Sequence, residues 1–421
     1  MIPMSSESAA GPRWVELPYH RRWLLGQANA LFDFFAANSI DPDGGFTVLD
    51  DQGEPIVKSR DGGKPPAREI HSTTRMVHAF AIARLLGRPD AWRFIDHGMD
   101  FIWNGHRDHV NGGYVWSVGK GSPGDDRKQA YAHAFVLLAA SSAKVVGHPD
   151  ADRLLADVAE IIRARFWDAK VGATREEFNR DWSAIDGGRY RGQNSNMHLT
   201  EATMAAFEAT GDRSWLEMAE SIASLIIGRH AMAVGGRVPE HFTENWEIDR
   251  DYLGDPVFRP PGYTPGHWLE WTRLLLQLWE MGGRRLDWIP DAARKLFANA
   301  VAEGWDKERG GFVYTLDWQS RPQTKRRLFW PQAEGIGAVA FLNAIDGDER
   351  YESWYRRIWD FIAAKLIDRD NGGWRSEAPE PGEAAFFEGK PDIYHDLQAC
   401  LIPLLPTTGT ITRGLIASPP G

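Results

Sequence analysis

"DRDNGGW", residues 368–374, is the stretch whose reading decides the fold. An acidic residue, a Gly-Gly pair and an aromatic form a compact turn, and the same order returns as "DPDGGF" (41–46), "DHVNGGY" (108–114) and "DKERGGF" (306–312). Looser versions, "WDAKVGAT" (167–174) and "AVGGRV" (233–238), fill the gap between them. Copies therefore recur at intervals of roughly 60–75 residues, and a fixed period of this kind marks a repeat architecture.

Each turn follows a helical pattern such as "AWRFIDHGMDFIWNGH" or "SWYRRIWDFIAAKLI". Apolar spacing at i, i+3, i+4 and i+7 predicts helices near 22–37, 73–86, 90–104, 129–145, 151–165, 197–209, 214–228, 267–281, 287–303, 332–344, 350–366 and 393–404. Six units of two helices and a hairpin imply an all-α chain, an (α/α)6 toroid in which inner and outer helices alternate. No Pro/Ser linker or composition shift divides it, so residues 1–421 are expected to form a single domain, with 1–15 and 407–421 as flexible ends. The Gly/Pro-rich stretch 251–266, "DYLGDPVFRPPGYTPG", is expected to be a long functional loop.

Composition narrows the partners. The formal charge of −10 argues against a nucleic-acid or anionic-membrane partner, which would need clustered Lys and Arg; "KRR" at 325–327 is a short solvated loop. A single cysteine, Cys400 in the apolar "HDLQACLIPLL", excludes an internal disulfide and reads as a buried thiol. The N-terminus lacks a basic start and an apolar run, and no 18-residue apolar stretch occurs, so the expectation is a soluble cytoplasmic protein, monomeric or homo-oligomeric. With 19 Trp, 20 Phe and 10 Tyr, aromatics can fill a core and leave flat faces for sugars.

Polar residues recur with the repeat. In "TPGHWLEWTRLLLQLWE" (264–280), Thr264 is an N-cap and Pro265 a first helical residue, which puts His267 at the third position with Glu270 on the same face. Ser72, Ser195 and Asp392 stand three residues before Arg75, His198 and His395, and Pro331 marks the helix start near Glu334. In chain order Arg75, Tyr131, His198, His267, Glu334 and His395 are separated by 56, 67, 69, 67 and 61 residues, one per repeat. If alternate helices line the toroid, these six side chains ring one funnel, with Trp271 and Leu274 sealing the barrel below.

A helix N-terminus disfavours a cation, so histidines kept there are neutral imidazoles suited to moving protons. Other readings stay open at this point: zinc held by His198, His267 and His395; an inverting glycoside hydrolase using Glu201, Glu270 or Glu334; or a non-catalytic carbohydrate-binding scaffold. Of the remaining histidines, His78 and His241 read as structural, and His106 and His109 as surface loop.

The stretches "STTRMVHAFAIA" (72–83), "KQAYAHAFVLLAA" (128–140), "RGQNSNMHLTEA" (191–202), "RVPEHF" (237–242), "TPGHWLEW" (264–271), "FWPQAEGIGA" (329–338) and "KPDIYHDLQ" (390–398) resemble the N-acylglucosamine 2-epimerase superfamily, and most of all its aldose–ketose isomerase branch, which includes mannose and sulfoquinovose isomerases. The resemblance implies an (α/α)6 barrel and a cofactor-free, metal-free proton transfer on a monosaccharide. It implies that His395 takes the C2 proton and returns it to C1 through a cis-enediol, and that His267 is the second acid/base. Arg75 and His198 would hold sugar oxygens. Tyr131, Asn194, Glu201, Glu270, Trp330 and Glu334 would line the site or orient the histidines. D-mannose to D-fructose is the expected reaction, D-lyxose to D-xylulose a second. Epimerisation at C2 of a cellobiose or N-acylglucosamine substrate is the alternative outcome, and a sulfonated sugar would call on Arg259 in the 251–266 loop.

Overall fold

The Gly-Gly turns are built alike in the computed structural model, which describes residues 11–60, 63–120, 124–380, 382–390 and 392–420. In the 368–374 copy the Asp368 N–H donates to the Gly373 carbonyl at 3.0 Å, Gly372 N–H returns to the Asp368 carbonyl at 2.9 Å, and the Asp368 carboxylate caps Asp370 N–H at 3.2 Å. Both glycines hold positive φ (86° and 66°), which other residues adopt only under strain. Ile367 pairs with Trp374 across the turn, as Ile40 does with Phe46, Arg107 with Tyr114 and Trp305 with Phe312. The degenerate 167–174 copy keeps the pairing, Trp167 with Thr174.

The helices are α1 (Pro18–Asn38), α2 (Ile70–Leu85), α3 (Ala91–Phe101), α4 (Ala130–Val145), α5 (Ala151–Ile161), α6 (Gln193–Thr210), α7 (Arg213–Ala223), α8 (Pro265–Met281), α9 (Ile289–Asn299), α10 (Phe329–Asp346), α11 (Glu349–Lys365), α12 (His395–Leu401) and α13 (Ile411–Ala417). The first twelve match the expected ones within a few residues at each end. Even-numbered members form the inner ring: α8 buries 13 of its 17 residues, whereas α1 buries six of 21. A helix apolar on all sides is stable only when surrounded, and one with a single apolar stripe belongs outside. The chain is thus an (α/α)6 barrel with one contiguous hydrophobic core.

The turns also join the repeats. A Cβ on Gly45 would lie 2.4 Å from Phe101 of α3 and one on Gly311 2.5 Å from Phe361 of α11, while Gly373 packs on Phe34 of α1 and so links the last repeat to the first. In the four full copies the leading aspartate pairs with a cation just ahead of the next inner helix: Asp41 with Arg68 at 3.9 Å, Asp108 with Lys128 at 3.1 Å, Asp306 with Arg327 at 3.5 Å and Asp368 with Lys390 at 2.6 Å. The result anchors the start of the inner helix to the hairpin before it.

Two expectations are corrected, one on the C-terminal end and one on His106. Residues after 407 are not wholly a loose end, because α13 packs Leu415 into the core and Thr410 N–H donates to Glu208 at 3.2 Å. At the N-terminal end, Trp14–Glu16 form a single 3₁₀ turn, and residues 1–10 lie outside the described ones. His106, read as surface loop, is fully buried, its Nδ1 meeting the Val115 carbonyl at 3.2 Å. Cys400 is buried as expected, and no helix among the described residues is long and apolar enough to cross a membrane.

Lys390→Met would leave Asp368 buried without its closest cation, and breaking such a pair costs about 3 kcal/mol, to be read from the denaturation midpoint. Its partners hold the Asp368 carboxyl down at about 2 against the usual 3.8, so the pair's contribution is present above pH 3.8 and lost as pH falls through about 2. The variant should lose less stability than wild type over that acid range.

Candidate active site

The inner helices begin at the end of the barrel where the long loops gather, and their first two turns carry the polar residues picked out above. Their depths differ from expectation. Thr264 does precede α8, with Pro265 first and His267 third, although its hydroxyl makes no cap. Ser72 and Ser195, by contrast, lie inside α2 and α6, which start at Ile70 and Gln193, so Arg75 and His198 stand nearly two turns down. Phe329 rather than Pro331 opens α10, and His395 is itself the first residue of α12. Two-residue strands directly ahead of α2, α4 and α6 supply extended N-caps that the Ser spacing could not reveal.

Two histidines share one wiring. His395 Nδ1 meets Glu334 Oε1 at 2.8 Å, and His267 Nδ1 meets both oxygens of Glu240 at 2.9 Å. A carboxylate accepts only, so each Nδ1 carries the proton and each Nε2 presents its lone pair. No described residue bonds either Nε2. Between the rings stands Trp330, its centroid 5.0 Å from that of His267 and 5.9 Å from that of His395. Gly266 makes room for it, because a Cβ there would fall 2.4 Å from the indole. Gln193 completes the His267 side by donating to Glu240 at 2.9 Å and accepting from Trp271 Nε1 at 2.8 Å.

Arg75 donates to Asp392 at 2.8 Å and to the Tyr131 hydroxyl at 3.0 Å, and lies over the Phe135 and Tyr394 rings. Tyr131 stands edge-on to His198, centroids 5.0 Å apart, and His198 Nδ1 is 3.7 Å from Glu270 Oε1. Below them Arg273 spans Glu334 at 3.0 Å, Glu201 at 3.1 Å and Glu270 at 3.7 Å. Tyr394 closes the cluster with a short hydrogen bond to Glu201. His198 Nδ1, Glu270 Oε1, Arg75 Nε and Asn194 Oδ1 are buried with no hydrogen-bond partner among the described residues.

Burial sets the charges. Burial first, then the charge of Arg75, holds His198 well below the usual imidazole value, and burial lowers His395 against the opposing pull of Glu334. Burial pushes Glu334 up, but Arg273 and the His395 N–H outweigh it and hold the carboxyl at about 2. Glu270 goes the other way, raised well above the usual range by burial and by the charge on Glu334. The site thus contains neutral imidazoles, a fixed carboxylate and a carboxyl that keeps its proton.

Several readings fall away. His198, His267 and His395 do not converge on one point; the described groups that could hold a cation are His198 with Glu201 and Glu270, and Glu270 with Glu334 and His395. Both use carboxylates already engaged by Arg273, which a cation would have to displace. Those three glutamates crowd around one guanidinium instead of facing each other across a gap, unlike the opposed pair of an inverting hydrolase. Arg259 is not a free cation for a sulfonate, because its fork meets Glu177 at 3.1 and 3.0 Å. Together with His241, which reaches the Pro260 carbonyl at 2.8 Å, it pins the 251–266 loop to the rim. His78 is structural, bonded to Ser142 at 2.7 Å.

Spacing alone missed Glu240, Gln193, Asp392 and Arg273 as site residues. Glu240 and Asp392 sit in loops, where no periodicity flags them. The signal for Arg273 was present: it is a charge one turn after Glu270 in a helix rich in Trp and Leu.

At pH 6.5, where a free imidazole is half protonated, His198 and His395 should remain neutral, and histidine side-chain NMR would show this. A half-protonated His395 at that pH would contradict the electrostatics described here.

The chain matches known proteins over most of its length. The family model of N-acylglucosamine 2-epimerase (GlcNAc 2-epimerase) matches residues 44–399. A D-mannose isomerase of Pseudomonas cannabina pv. alisalensis is 43% identical over 413 residues, covering 96% of this chain and 97% of that one. One from Thermobifida fusca is 42% identical, covering 96% and 98%. A crystal structure of a D-mannose isomerase superposes with a TM-score of 0.84 at 32% identity, covering 91% of this chain and 97% of that one.

Proposed function

The chain belongs to the N-acylglucosamine 2-epimerase family, and from that premise we propose that it is an aldose–ketose isomerase converting D-mannose to D-fructose, with D-lyxose to D-xylulose as a second reaction. The names of its relatives support the sugar. The observation that carries the chemistry is the pair of histidines flanking Trp330, each with Nδ1 tied to a buried carboxylate and Nε2 unpaired among the described residues.

His395 acts as the base. Its Nε2 takes the proton from C2 of the open-chain aldose, the C–H electron pair becomes the C1=C2 bond of a cis-enediol, and O1 gains a proton. Nε2 then returns its proton to C1 while the O2 hydroxyl gives up its own, which replaces the proton taken up at O1, leaving the ketone at C2. His267 serves ring opening, donating to and withdrawing from the ring and anomeric oxygens. Arg75 and His198 face the oxygens on which charge develops, where fixed donors lower the barrier most. Glu270, holding its proton, donates to a sugar oxygen. Tyr131, Asn194 and Trp330 shape the space for one monosaccharide, and no cofactor or metal enters any step.

Mannose incubated with the enzyme in D2O should give fructose, seen by proton NMR, with deuterium at C1 only to the extent that the proton held on His395 exchanges with solvent before its return. Glucose as the main product would replace isomerisation by 2-epimerisation. His395→Asn should abolish both turnover and C2 exchange, and a variant that still exchanges C2 would remove it from the base role. Glu240→Gln should lower kcat roughly 100-fold, the scale of a general acid/base contribution. Activity should survive EDTA; loss restored by a divalent ion would overturn the metal-free step.

A further inference from the structure

Arg273 belongs to none of the groups given a role above, yet it is the best-buried cation in the barrel centre. Only 2% of it is exposed, and its Nε meets Glu334 Oε2 at 3.0 Å while the other oxygen of that carboxylate receives His395 Nδ1 at 2.8 Å. The chain of contacts Arg273, Glu334, His395 is therefore continuous. Its counterpart on the other histidine ends differently: Glu240 receives His267 and the neutral amide of Gln193, with no guanidinium bonded to it. The barrel also makes room for the arginine. Gly337 sits mid-helix in α10, where a Cβ would come within 2.9 Å of Arg273 Cδ, although glycine there weakens a helix.

We propose that Arg273 is a positioning residue that makes His395, rather than His267, the carbon base: it fixes Glu334 as an oriented carboxylate and so fixes the His395 ring and tautomer. This inference rests on the isomerase reading of the site. The physical argument is one of balance. A lone carboxylate beside an imidazole favours the imidazolium, which cannot take a proton; a cation on the carboxylate's far side offsets that pull and keeps the imidazole neutral while the hydrogen bond still aims it. His267 has no such cation behind its carboxylate, which meets the neutral Gln193 amide instead.

The other charged or titratable groups around His395 are Arg75 from α2, Asp392 and Tyr394 from the lead-in to α12, His198 from α6, Glu270 from α8 and His267 across Trp330. Around Glu334 they are Glu201 from α6 and Glu270 from α8, which Arg273 also contacts. Arg75 is already paired with Asp392, so Arg273 is the cation that answers Glu334.

The test compares wild type, Arg273→Met, Arg273→Lys and Gly337→Ala by the pH profile of kcat/KM on mannose, by the kcat–KM split, and by nitrogen-15 NMR of His395, assigned through His395→Gln. Arg273→Met should lower kcat about 100-fold with KM nearly unchanged, move the acid limb upward by roughly one pH unit and disturb the Nδ1–H tautomer. Arg273→Lys should restore part of kcat, and Gly337→Ala should shift the same quantities less, without removing the charge. If Arg273→Met does not fold by circular dichroism, the other two variants decide. Unchanged pH profile and tautomer in folded variants, whatever their melting temperature, would overturn the inference. A wild type inactive on mannose would count against the isomerase reading alone, since the tautomer measurement needs no substrate.

Discussion

An inner helix of this barrel touches protein on every side, so a polar side chain on it must either meet a partner or stand near the open end. That constraint sorts the chain. The lower turns of α8 hold Leu274, Leu275, Leu276 and Leu278, all almost fully buried, and the polar residues crowd into the upper turns. Because every inner helix starts at the same end, six first turns converge there without any one helix specifying the others. The hairpins keep those starts in place, since a turn aspartate pairs with the cation leading into the next inner helix.

Within this converging region the electrostatics are closed over a short distance. Arg273 faces three carboxylates, and burial makes their protonation states unequal: Glu334 stays ionised while Glu270 keeps its proton. One guanidinium cannot stabilise three negative charges in a dry interior, and the carboxyl with the weakest contact, at 3.7 Å, is the one that neutralises. An imidazole base, an ionised orienting group and a neutral donor can therefore coexist within one cluster, each held in its form by its neighbours.

The two histidines show how far spacing carries and where it stops. His267 and His395 were visible because each falls once per repeat near a helix start. Their carboxylate partners were not equally visible: Glu334 shares the repeat period, but Glu240 sits in the loop "RVPEHF", which the chain brings to His267 across a separation of 27 residues. His106 shows the reverse error, since a histidine beside a turn looked exposed and is sealed against Phe101, ring centroids 5.0 Å apart. Arg259 was legible as a cation in a long loop, but its engagement with Glu177, 82 residues away, was not.

The sequence by itself determined the repeat, the alternation of inner and outer helices and the identity of most side chains at the mouth, because periodic apolar patterns and Gly-Gly turns are local signals with local causes. Only the tertiary structure decided which carboxylate each histidine binds, which glutamate keeps its proton, and that Arg259 ties down a loop. Those outcomes depend on distances between residues far apart in the chain and on how completely water is removed from them, and neither quantity is encoded in a spacing.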